Sequence, residues 1–424
     1  MKVFLDSIGC RLNQSEIERM ALQFRAAGHI LVESAADADL VVVNTCAVTT
    51  QASSDSRQKI RQAHRTGQAA IAVTGCWSTL DPGAAATLPA VQWVVPNQSK
   101  EGLVPAVLRI PAEGLDLEPL ARQPLPGLHL RTRAFIKVQD GCDNFCTFCI
   151  TRLARGKGRS IPAGDIVKDV RRAVEGGAKE IVLTGVQLGS WGQDFESPAH
   201  LRDLIEVLLK ETGFTRLRLS SLEPWDLEGS FFSLWHDERM CRHLHLPLQS
   251  GSAATLRRMA RKVTPETFTT LLSQARTSIS DLAVTTDIIA GFPGETDAEF
   301  WETLDYLKQA AFAGGHVFTF SPRPGTVAAR YPNQVPAPLR KERSATLRAA
   351  LAEASEDYRG RFTGQVMAVL WEASSGFGPG GWKMEGLTDN YLRVTALSPD
   401  KLWNQVSLVR IETTGPAGIQ GHIL

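Results

Sequence analysis

The chain has 424 residues, enough for two or three domains that each bury a core. Hydrophobic residues make up 43% and charged residues 21%, an ordinary balance for a globular protein. With 46 Lys and Arg against 45 Asp and Glu, the net charge of +1 excludes a surface coated throughout with nucleic-acid contacts and leaves room only for local basic patches.

No apolar run reaches bilayer length, and the opening stretch breaks at Asp6, too early for a signal peptide. A cytoplasmic location without membrane partners is expected. There cysteines serve metals or catalysis more often than disulfides, and seven is an odd count for a paired framework.

Residues 1–108 alternate apolar strands, at 3–5, 40–43, 70–73 and 91–95, with helical patterns around 16–27 and 53–64. Such alternation predicts a parallel-sheet α/β domain. Residues 109–130 carry Pro111, Pro119, Pro124 and Pro126 and read as a linker. Residues 131–358 alternate again, with strands at 134–139, 180–184, 217–221, 243–248, 284–290 and 316–321 and a helix near 339–358. Six units suit a partial (β/α)6 barrel better than a doubly wound sheet. Residues 359–424 change to short strands at 366–371, 382–387, 391–397 and 406–411, a small OB-like β-barrel.

Cys142, Cys146 and Cys149 form a C-x3-C-x2-C triplet in the loop after the first strand of the second region. Three thiolates can hold three irons of a 4Fe-4S cluster and leave the fourth open to a ligand. The bland alternative is structural zinc, which needs four ligands; no Cys or His follows closely, and His129 lies upstream. Cys10, Cys46 and Cys76 each follow the end of a predicted strand. Strand carboxyl ends share one edge of a parallel sheet, so these thiols converge on one mouth and suit a second cluster. The alternative is three apolar core cysteines, which is how Cys241 reads.

Residues 141–149 resemble the signature of radical S-adenosylmethionine (SAM) enzymes. The resemblance implies that Phe148 contacts the adenine of SAM, and that an electron from the cluster cleaves SAM to a 5′-deoxyadenosyl radical. Gly9-Cys10-Arg11-Leu12-Asn13-Gln14, Asn44-Thr45-Cys46 and Thr74-Gly75-Cys76 are similar to the amino-terminal domain of the methylthiotransferases. Arg155-Gly156-Lys157-Gly158-Arg159, Gly291-Phe292-Pro293-Gly294-Glu295 and Ser321-Pro322-Arg323-Pro324-Gly325 are similar to that family's core, and residues 386–391 resemble its RNA-binding TRAM domain. The likeness implies two 4Fe-4S clusters, SAM, a tRNA substrate, and separate electron and sulfur donors. Within the family, Cys10-Arg11-Leu12-Asn13-Gln14 and His316-Val317-Phe318 look most like the branch that modifies threonylcarbamoyladenosine at tRNA position 37. The branches for isopentenyladenosine and for a ribosomal-protein aspartate remain open, as does a cluster-bearing RNA binder without catalysis.

Ser220, Ser221, Glu223 and Gln249 stand at expected strand ends, where barrel sites form, although any of them could cap a turn. Asp287, also read at a strand end, faces SAM by resemblance. Residues 131–173 hold ten Lys or Arg against four Asp or Glu, and residues 323–348 six against one. Arg152, Arg155, Lys157 and Arg159 beside the cluster are therefore expected to meet phosphates. In the terminal barrel, Arg359, Arg361, Lys383, Tyr391 and Arg393, with Trp403, are expected to form a local RNA patch with an aromatic platform.

Overall fold

The computed structural model describes residues 1–111, 115, 132–415 and 418–424. Most of the linker expected over 109–130, and His129 with it, lies outside the described residues.

The amino-terminal sheet is parallel, in the order Ile30–Leu31, Lys2–Ser7, Leu40–Thr45, Ala70–Gly75, Val91–Val95. Strand Leu40–Thr45 is buried along its whole length, as its unbroken apolar run requires of a strand covered on both faces. Alternate residues serve two cores. Val41, Val43, Ile71 and Val73 face one, and Val3, Leu5, Val42 and Ala72 the other. Ile30–Leu31 adds an edge strand to the four expected, since two residues carry no periodicity. Strand order reverses between Lys2–Ser7 and Leu40–Thr45, which opens a crevice at their carboxyl ends.

The six expected strands of the second region are all present and run in chain order: Arg133–Lys137, Glu180–Thr184, Leu217–Leu219, His243–His245, Ala283–Ala290 and Gly314–Thr319. They pair in two parallel sets of three, joined by bridges of Leu217 to Met240 and of Ser221 to His245. This is an open (β/α)6 barrel. Helix Arg11–Ala26 packs on its first strand, so the amino-terminal domain adjoins the open edge.

Helix Ala337–Gly360 leads into a closed five-stranded barrel, Val366–Gly378, Gly381–Thr388, Arg393–Ser398, Gly418–Ile423 and Val406–Gly415, closed around the fully buried Trp371. Its turn at residues 388–391 docks on the amino ends of the core strands. Arg218 donates to the carbonyls of Thr388 and Asp389 at 3.1 and 3.0 Å, and Arg242 pairs with the Asp389 carboxylate at 2.6 Å. Among the described residues, no helix is long and apolar enough to cross a membrane.

Candidate active site between two thiol triplets

Cys10 immediately precedes helix Arg11–Ala26, Cys46 follows strand Leu40–Thr45, and Cys76 opens helix Cys76–Leu80 after strand Ala70–Gly75. All three stand at strand carboxyl ends on one edge of the sheet. Gly9, at φ 104°, lets the first loop close on the second: a Cβ there would lie 2.7 Å from Cys46 Sγ. Cys46 lies within the electrostatic reach of both Cys10 and Cys76. Burial pushes its thiol up to about 11.

The second triplet sits on a loop whose ends are clasped by the antiparallel pair Gln139–Asp140 and Arg159–Ser160. Gly141, at φ 78°, makes the entry turn, where any Cβ would collide with the Lys157 carbonyl. Cys142 Sγ lies 3.3 Å from Gln187 Oε1, and Arg261 Nη1 lies 3.8 Å from Cys146 Sγ while pairing with Glu223 at 2.7 Å. Burial pushes the Cys142 thiol up to about 12. Buried thiols of this kind release their protons when they take a metal.

The elements that follow the two triplets pack together. Helix Cys76–Leu80 rests on helix Thr151–Arg155, and Asn97 reaches both, donating to the Ala154 carbonyl at 2.8 Å with Cys76 Sγ 3.6 Å away. Beneath them is a buried ionic cluster. Glu16 accepts from Lys100 at 2.7 Å and from Arg155 at 2.9 Å, and Arg155 also pairs with Asp140 at 2.8 Å and donates to Asn13 at 2.7 Å. Arg155 is therefore an internal strut and not the phosphate contact expected of it: it is 2% exposed and fully engaged.

No three His, Cys, Asp or Glu side chains among the described residues converge tightly enough for a single metal ion. Three thiols around each mouth, each free to take a different iron, fit a 4Fe-4S cluster with one iron open.

Phe148 stands edge-on to Phe292, at 6.3 Å between ring centres, beside the cysteine loop. Glu223 is on the same rim, held by Arg261, and Ser221 bridges to His245. Gln249, at φ 75°, turns the chain after strand His243–His245 and donates its amide to the Asp287 carbonyl at 2.8 Å. Asp287 differs from expectation: it lies inside strand Ala283–Ala290, not at its end. Its carboxylate takes His245 and His316, each at 3.3 Å. Burial pushes that carboxyl up, but the two histidines outweigh it and hold Asp287 well below the usual range.

Of the remaining basic candidates, Lys157, Arg159, Lys383 and Arg393 are exposed, and Arg152 lies 4.0 Å over the ring of the exposed Phe145. Arg359 pairs loosely with Glu356, and Arg361 turns to Asp281 at 3.1 Å. Tyr391 is no platform: its ring stacks on His243 at 4.0 Å, and its hydroxyl accepts from Arg11 at 2.7 Å. Trp403 is likewise half-buried. The terminal barrel instead presents Phe377, which is 70% exposed, against Trp382 at 5.0 Å, with Lys401 4.1 Å over the Trp382 ring. A hairpin tip with turn glycines gave no reason to single these residues out.

The open barrel and its three-cysteine loop define a radical SAM enzyme, and the radical SAM superfamily model matches residues 136–307. An uncharacterized protein family, UPF0004, matches residues 2–95, the sheet that carries the other triplet. The chain is 35% identical to the threonylcarbamoyladenosine tRNA methylthiotransferase MtaB of Bacillus subtilis, over 97% of this chain and 94% of that protein. It is 38% identical to the MtaB of Thermotoga maritima, over 87% and 86%. A tRNA-2-methylthio-N(6)-dimethylallyladenosine synthase of Erythrobacter litoralis is 33% identical over 99% and 96%. In fold, the radical SAM methyltransferase TsrM of Kitasatospora setae covers 77% of each chain with a TM-score of 0.56 at 15% identity. The chain belongs to the MtaB-like radical SAM methylthiotransferases.

Proposed function

We infer that this protein attaches a methylthio group to C2 of N6-threonylcarbamoyladenosine at position 37 of tRNA, in the cytosol. The observation that carries the reading is the packing of the helix that opens at Cys76 on the helix that follows Cys149, in a chain that resembles the Bacillus subtilis enzyme almost end to end. When bound, the group on Cys142, Cys146 and Cys149 supplies the electron that cleaves SAM and so activates the C–H bond, and the group on Cys10, Cys46 and Cys76 supplies sulfur.

The chain's own residues do the positioning. Arg155, Glu16 and Asn97 tie the helices behind the two triplets together, so the distance between the mouths is set by buried ion pairs. Arg261 holds Glu223 at the rim, where Glu223, Ser221, Gln249 and Phe148 are the proposed SAM contacts. Asp287, oriented by His245 and His316, is a further proposed contact. Phe145 with Arg152 offers an aromatic and cationic face at the mouth of the cysteine loop, suited to a base turned out of an anticodon loop. Lys157 and Arg159 beside it suit the neighbouring phosphates.

The likeness to the Erythrobacter litoralis synthase supports a second reading, with dimethylallyladenosine as substrate. Anaerobic assay with tRNA carrying either base decides between them. Methylthio mass is expected on the threonylcarbamoyl form alone, and gain on the dimethylallyl form alone would overturn the substrate. Absence of 5′-deoxyadenosine with any tRNA would overturn the enzyme.

A further inference from the structure

Arg323 follows the last strand of the open barrel and is only 9% exposed. Its guanidinium donates to Ser53 Oγ at 2.8 Å and to Thr50 Oγ1 at 3.3 Å, and among the described residues its Nε has no partner. Among the described residues, no carboxylate stands within ion-pair distance of it. Equally buried arginines are treated differently: Arg155 has Glu16, Arg218 has Glu180, Arg261 has Glu223 and Arg343 has Glu295. Arg216 has two main-chain carbonyls. A buried cation met by two neutral hydroxyls is unfavourable unless an anion completes its surroundings.

The surroundings say where that anion belongs. Thr50 and Ser53 form the first turn of the 17-residue helix Thr50–Thr66, which starts just after Cys46. The positive end of that helix and the guanidinium thus face the same place, and each repels the other. The titratable groups within electrostatic reach of Arg323 are Cys46, which would attract it as a thiolate, and Arg57, which repels it. The acids behind the triplets are already taken, since Glu16 and Asp140 are matched by Lys100 and Arg155. Three thiolates on a 4Fe-4S core leave a net anion at the mouth beside Cys46.

We propose that Arg323 is the counter-charge of the group held by Cys10, Cys46 and Cys76, a positioning residue delivered to the amino-terminal domain by the barrel core. The inference rests on those three cysteines being cluster ligands. Its consequence is electrostatic: reduction adds negative charge, so a neighbouring cation raises the reduction potential. Because the cation comes from the other domain, the potential also depends on the two domains being docked.

The test uses the full chain with Cys142, Cys146 and Cys149 changed to Ala, so that only the amino-terminal group is reconstituted. Iron content and the reduction potential, followed by electron paramagnetic resonance, are measured in that parent and with Arg323→Gln, Arg323→Lys or Ser53→Ala added. Arg323→Gln is expected to lower the potential, Arg323→Lys to restore most of the shift, and Ser53→Ala to leave it at the parent value. If Arg323→Gln takes up no iron while the parent does, uptake regained by Arg323→Lys supports the counter-charge, and failure to regain it overturns it. An unshifted potential in Arg323→Gln, or equal shifts in Arg323→Gln and Ser53→Ala, also overturns it, the latter in favour of a mechanical latch. A parent that folds by circular dichroism yet holds no iron overturns the cluster reading instead.

Discussion

Glu16 stands between Lys100 and Arg155 with all three side chains almost out of water, and removing its charge strands Lys100 and leaves Arg155 with Asp140 alone. Glu16→Gln is expected to cost about 3–5 kcal/mol in chemical denaturation, the range for breaking a buried ion pair on one side. Burial pushes the Glu16 carboxyl up, but Lys100 and Arg155 overcome it and hold it well below the usual range. A carboxyl depressed by folding contributes fully above its unfolded value of about 4.3 and loses that contribution as the pH falls further. The melting temperature should therefore drop with acid below about pH 4.3, and Glu16→Gln should remove part of that drop. Asp226 has the opposite sign: burial pushes it up to about 6. Its contribution is fully present below its unfolded value of about 3.9 and is lost as the pH rises from there through about 6. Asp226→Asn, which keeps an acceptor for Gln187, should stabilise by about 1–2 kcal/mol at pH ~8 and do little at pH ~3, as thermal melts at the two pH values would show. None of this was legible in the sequence. Arg155 sits in a run of basic residues that reads as surface, and Asn13 and Glu16 are polar residues whose burial no local pattern signals. Only the second domain, packed over that face, makes them interior.

Elements were far easier to read than residues. Every long strand of the two α/β regions carries an apolar run bounded by turns, so the strands and the positions of Cys10, Cys46 and Cys76 at strand ends followed from pattern, while closure toward a barrel over a doubly wound sheet was favoured and not fixed by spacing. The terminal barrel was read as a barrel but its working face was not. Tyr391, at φ 69°, is turned inward by the 388–391 turn that anchors the domain to Arg218 and Arg242, a tertiary demand with no local signature. The two faces make separable predictions. Phe377→Ala with Trp382→Ala should weaken tRNA binding by about 1–3 kcal/mol per stacked base lost, read by anaerobic titration of labelled tRNA at fixed salt. Tyr391→Ala should leave that affinity nearly intact and instead speed hydrogen exchange in strand Arg393–Ser398 and at the Thr388 end of strand Gly381–Thr388, because it loosens the docking turn and spares the exposed hairpin at the other end.

At the scale of the whole molecule, three separate contacts press the thiol edge of the first domain onto the barrel: Arg155 to Glu16, helix Cys76–Leu80 to helix Thr151–Arg155, and Arg323 to Thr50 and Ser53. Each joins the element that opens at or follows one amino-terminal cysteine to the barrel domain, and the two polar contacts run through no cysteine side chain. Removing one thiol should therefore leave the domains docked, and the two triplets should fail in different ways. Replacing Cys142, Cys146 or Cys149 by Ala should abolish both SAM cleavage and methylthio product, since the group that binds SAM loses a ligand. Replacing Cys10, Cys46 or Cys76 by Ala should abolish the methylthio product and methyl transfer to sulfide, yet leave reductive release of 5′-deoxyadenosine. The measurement is anaerobic quantification of both products by mass spectrometry, with circular dichroism to confirm folding. Full methylthiolation by a folded Cys46→Ala protein would remove the sulfur role from the first triplet. Lost SAM cleavage in the same variant would mean that the buried contacts between the domains transmit the change, and Glu16→Gln should then lose cleavage as well.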